Sequence, residues 1–75
     1  MSVQGIRRNE IEVNLQKNGI KAKTELAKSL LLVMKLQGDF PEGTRVEDGV
    51  ATFPPAFNVI EVMAELEPKL FPAHS

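Results

Sequence analysis

The sequence of 75 residues predicts one α+β domain of order ββαββα, two β-hairpins forming an antiparallel sheet packed against two helices. Three observations carry that expectation. Asn18-Gly19 and Asp48-Gly49 each interrupt strand-like alternation, and such dipeptides are the strongest short hairpin signals. Behind each hairpin, apolar residues recur at helical spacing. A residue able to cap a helix, Thr24 or Asn58, stands before each of these runs.

In the first hairpin Ile11, Val13 and Leu15 alternate with Glu10, Glu12, Asn14 and Gln16, the period of a half-buried strand. A two-residue type I′ turn at Asn18-Gly19 pairs Lys17 with Ile20, Leu15 with Ala22, Val13 with Thr24 and Ile11 with Leu26. That register gathers Ile11, Val13, Leu15, Ile20 and Ala22 on one face and leaves Lys21 and Lys23 on the other. A helix from about Ser2 to Lys17 is the rival reading, and it leaves Val13 off the apolar side.

A helix is expected over 25–37, with Thr24 as N-cap and Gly38 as its stop. Leu26, Ala27, Leu30, Leu31, Val33 and Met34 form its inward arc. Leu32 and Leu36 fall on the other side, among Glu25, Lys28, Ser29 and Lys35. A helix apolar on two sides is buried between layers or offers a seam to a partner. Leu32 and Leu36 are therefore the candidate protein-interaction residues. The competing expectation is burial beneath the loop 38–43 or the C-terminal segment.

The second hairpin turns at Asp48-Gly49, facing Val46 with Ala51 and Thr44 with Phe53. Pro54-Pro55 ends its strand, since neither residue can donate to a ladder. Asn58 and Glu61 have capping-box spacing. The helix they open turns Val59, Ile60, Val62, Met63, Ala64 and Leu66 inward, and Glu61 and Glu65 outward. Pro68 is expected to end it near Glu67, leaving Leu70 and Phe71 to fold back as a clasp. Residues 1–8 and 72–75 are expected to be flexible ends. An offset of 30 residues superposes the two turn dipeptides, but ordinary strand and helix patterning produces much of that likeness. Strand order stays open.

Composition narrows the function. A chain 43 % hydrophobic and 25 % charged belongs with folded domains rather than disordered ones. No apolar run follows Arg7-Arg8, unlike a signal peptide, and Leu30–Met34 is far shorter than the ~20 residues of a bilayer span. With no cysteine there is no disulfide and no thiolate, so a soluble, cytoplasmic protein is expected. The one histidine, His74, lies in the chain end, a poor place for a general base. The carboxylate pairs, such as Glu10/Glu12 and Glu61/Glu65, belong to solvated faces. Neither metal-ligand spacing nor a glycine-rich phosphate loop is present. The expectation is a protein that is not an enzyme and uses no cofactor, metal or small-molecule ligand.

Charge divides along the chain. Residues 1–37 hold seven bases against three acids, net +4; residues 38–75 hold two against seven, net −5. The halves could attract each other or a partner. Arg7, Arg8, Lys17, Lys21 and Lys23 could contact nucleic acid from a basic ribbon. Against this, the pI is near 5.8 and every phenylalanine lies in the acidic half, away from those cations. The expected role is a non-catalytic interaction or regulatory module that binds a protein partner or forms a homodimer. Nucleic-acid binding is the alternative.

Overall fold

A computed structural model describes residues 6–71. The order is a short 3₁₀ turn (Arg8–Glu10), β1 (Ile11–Asn14), β2 (Gly19–Ala22), α1 (Glu25–Gln37), β3 (Arg45–Glu47), β4 (Val50–Thr52) and α2 (Val59–Leu70). This is the ββαββα fold expected from the pattern. The four strands form one antiparallel sheet in the order β1-β2-β4-β3, so the two hairpins meet through their second strands.

Register explains which face is covered. Ile11 pairs with Ala22, Ile20 with Ala51, and Val46 with Ala51, so these side chains share one side of the pleat. Ile11, Ile20, Ala22, Ala51 and Phe53 join Ala27, Leu31 and Met34 of α1 and Val59, Val62, Leu66 and Leu70 of α2 in one core. Both helices therefore lie on the same side. The other side carries Glu12, Asn14, Lys21, Arg45, Glu47 and Thr52.

The second hairpin has the expected two-residue turn, with Asp48 at φ 53° and Gly49 at φ 77°. The first does not. Its register is Ile11–Ala22, Glu12–Lys21, Val13–Ile20 and Asn14–Gly19, closed by the four residues Leu15–Asn18. The Asn14 side chain accepts from Lys17 N at 3.0 Å, Asn18 N donates to Leu15 O at 3.3 Å, and only Asn18 has positive φ. Leu15 thus sits in the turn, exposed, rather than on the apolar face, and Val13 is also exposed. Gly19 serves a different need. A Cβ there would stand 2.3 Å from Ala51 O, so β2 approaches β4 only because residue 19 has no side chain.

Helix α1 has the expected bounds. Thr24 accepts from Ala27 N at 3.1 Å, and Gly38 at φ 79° closes the last turn. Its inward arc is narrower than the pattern suggests, because only Ala27, Leu31 and Met34 are buried. Leu26 and Val33, expected inside, are exposed, as is Ile60 at the start of α2. A four-stranded sheet of three- and four-residue strands covers one stripe of each helix and no more.

Helix α2 runs through Pro68 to Leu70, past its expected end. Leu70 is fully buried and its carbonyl accepts from Ile6 N at 2.9 Å. Burying a leucine contributes ~1.5–3 kcal/mol, comparable to the ~3 kcal/mol cost of a helical proline. Within residues 6–8, expected to belong to a flexible end, Ile6 is buried, and Arg8 pairs with Glu67 and stacks 4.7 Å above the Phe71 ring. Residues 1–5, 72–75 and His74 lie outside the described residues.

Asn18 joins the two halves. Its Oδ1 accepts from Val59 N at 2.9 Å, and its Nδ2 approaches the carbonyls of Phe57, Pro54 and Phe53 at 2.7, 2.9 and 3.2 Å. Its own carbonyl accepts from Phe53 N at 2.9 Å. One side chain therefore fixes the Pro54–Phe57 loop and the entry to α2 against the first turn.

Candidate functional site

Helix α1 leaves its outer surface bare. Relative exposure is 53 % for Leu26, 51 % for Leu32, 42 % for Val33 and 85 % for Leu36. Among the described residues, neither the loop 38–43 nor Leu70–Phe71 covers Leu32 and Leu36. The loop instead turns inward, with Phe40 buried and set edge-on to Phe53, centroids 5.5 Å apart.

Two strips can be separated on that surface. Lys28, Leu32, Lys35 and Leu36 follow one another at i, i+4, i+7 and i+8, so the leucines are flanked by cations. Lys28 lays its stem against Gly49 and shares its ammonium with Glu25 at 3.4 Å, an exposed pair. The second strip is Leu26, Leu30 and Val33, of which Leu30 and Val33 border a 350 Å³ cleft reaching to Gln37 and the Lys69–Asp39 ion pair.

A groove of 380 Å³ lies along α2 on the side of the loop. Phe40, Pro41, Phe57, Val62 and Leu66 line it, and Glu61 and Glu65 stand at its rim. Asp39 also borders it, but accepts from Lys69 at 3.0 Å. Glu61 and Glu65 make no ion pair among the described residues. Sequence reasoning names these two glutamates only as a solvated pair. Their meeting with Phe40 depends on how the loop returns across α2, which no local pattern encodes.

The basic residues come from the 3₁₀ turn, the first hairpin loop and β2 with its end. Lys21 lies on the open side of the sheet, opposite Glu12, and Lys17 lies in the first turn, with Lys23 just beyond β2. Arg8 is engaged by Glu67 and Phe71 at the far end of α2, and Arg7 N donates to Glu10 at 3.3 Å. Arg45, which the open face adds beside Lys17, is paired with Glu47 at 2.7 Å. Lys23 N donates to Glu10 O at 2.8 Å, which sets Lys23 beside the Arg7–Glu10 turn, so of the five candidate cations Arg8 alone is held in an ion pair among the described residues.

Among the described residues, no group of three His, Asp or Glu side chains is placed to hold a metal ion. No described helix is long and apolar enough to cross a membrane. No protein-family model, no curated protein and no solved structure matches the chain, so its own surfaces carry the functional reading.

Proposed function

We propose that this protein is a non-catalytic, self-associating interaction module that works through the outer surface of α1. The observation that carries the reading is the exposure of Leu26, Leu32, Val33 and Leu36 on a single helix. Surface hydrophobic residues scattered singly are ordinary on monomers, whereas four on one helix point to an interaction surface.

A second copy of the chain is the favoured occupant. The net charge of −1 sets up no long-range repulsion between copies, and the opposite signs of the halves favour their approach. Together the four side chains expose more than two full side chains' worth of surface per copy. At ~1.5–3 kcal/mol per buried side chain, their burial from both copies is comparable to the ~4–15 kcal/mol cost of association. A reversible, concentration-dependent dimer follows.

The test is the solution mass of the wild type and of Leu32→Glu/Leu36→Glu, with far-ultraviolet circular dichroism as the check on folding. A dimeric wild type and a folded, monomeric variant support the reading. A variant that stays dimeric overturns the α1 surface, and a wild type monomeric at millimolar concentration overturns self-association. Nucleic-acid binding is the weaker reading, since Arg8 is already engaged. A rise in mass with a mixed-sequence oligonucleotide, lost in Lys21→Glu/Lys23→Glu, would favour it instead.

A further inference from the structure

We infer that two copies dock reciprocally: the Lys28, Leu32, Lys35, Leu36 strip on α1 of each enters the acid-rimmed groove along α2 of the other. The inference rests on the self-association proposed above and names the surface that receives α1. Three observations lead to it.

The two surfaces match in chemistry. The strip is apolar with cations at its flank, and the groove is apolar, around Phe57, Val62 and Leu66, with Glu61 and Glu65 at its rim. These glutamates stand one helical turn apart with no cation paired to them among the described residues, an unfavourable like-charge arrangement that the lysines of α1 would relieve. The charge division of the sequence is also left largely unused within the chain. Of the four ion pairs among the described residues, only Arg8–Glu67 joins the basic half to the acidic half. Finally, a helix pairing with its own copy through this strip would set Lys28 and Lys35 near like charges, which costs specificity. The groove offers opposite ones.

Each of the two equivalent contacts joins two different patches, so two differently damaged chains can complement each other through the one contact left intact. One variant, Leu32→Glu/Leu36→Glu, loses the strip and keeps the groove. The other, Glu61→Lys/Glu65→Lys, loses the rim and keeps the strip. The expected result is that each alone is monomeric by sedimentation, while an equimolar mixture forms a heterodimer. Restoring complementarity within one chain, by adding Lys28→Glu/Lys35→Glu to the rim variant, should recover self-association. Glu61→Gln/Glu65→Gln, which keeps side-chain size, serves as the rim variant should the lysine pair fail to fold, and should self-associate several-fold more weakly than the wild type.

A rim variant that dimerises like the wild type overturns the α1-to-α2 arrangement while leaving self-association through α1 standing. Two monomeric variants that do not complement also overturn it. A monomeric wild type overturns the underlying reading and this inference together.

Discussion

Asn18 concentrates more of the fold in one side chain than any other polar residue described. It occupies the left-handed region at φ 52°, which asparagine tolerates better than most residues. Its Nδ2 has two hydrogens, which serve Phe57 O and Pro54 O, the two shorter contacts, while Oδ1 takes Val59 N. Asn18→Ala removes these bonds, each worth about 0.5–1.5 kcal/mol, and adds a left-handed penalty of ~1 kcal/mol. A loss of about 3 kcal/mol is expected by urea unfolding, and about 1 kcal/mol less for Asn18→Gly, which keeps the backbone but not the bonds. Unfolding should be followed by circular dichroism, because the chain has no Trp or Tyr. Equal losses in the two variants would remove the backbone part of this account. The Asn-Gly dipeptide also shows why residue-level reading reaches only so far. Both residues suit a two-residue turn, but Gly19 is needed for its close approach to Ala51 O, a contact 32 positions away in sequence.

At the scale of elements, the legible parts are those whose determinants are local. The bounds of α1 follow from Thr24 and Gly38, and the second hairpin follows from Asp48-Gly49. The first hairpin slips by four residues because Asn14 and Asn18 build a longer loop that the alternation of Ile11 and Val13 accepts equally well. A shift by an even number preserves the faces, so the pattern could not distinguish the two registers. Helix α2 overruns its expected end for a tertiary reason, the burial of Leu70. Pro68 remains a local misfit there, since it lacks the N–H that would reach Ala64 O. Pro68→Ala is therefore expected to stabilise the protein by about 1 kcal/mol or more, read as a higher thermal midpoint. An unchanged or lowered midpoint would show that the proline fits the last turn without cost. The exposure of Leu32 and Leu36 was legible as one of two alternatives. The acid-rimmed groove was not, because the loop that completes it is placed by Phe40 packing on Phe53.

The whole molecule is small for the surface it must stabilise. Its sheet covers one stripe of each helix, and eight large hydrophobic residues stay exposed among those described. Association completes what the fold leaves open, so assembly and stability should be linked. The thermal midpoint of the wild type is expected to rise over a hundredfold increase in protein concentration, whereas that of Leu32→Glu/Leu36→Glu should stay constant. A wild-type midpoint indifferent to concentration would separate folding from assembly.

The hydrogen bond from Ile6 N to Leu70 O bears on how the chain could be rewired. It brings the first and last described segments side by side, so the backbone path is nearly a closed circuit. Joining Ile6 to Phe71 with a short linker and cutting between Glu42 and Gly43, both exposed, would exchange the order of the two ββα halves without breaking a strand pairing. A circular permutant that folds would show that the architecture does not depend on which half is translated first, and one that fails would show that the order of synthesis matters.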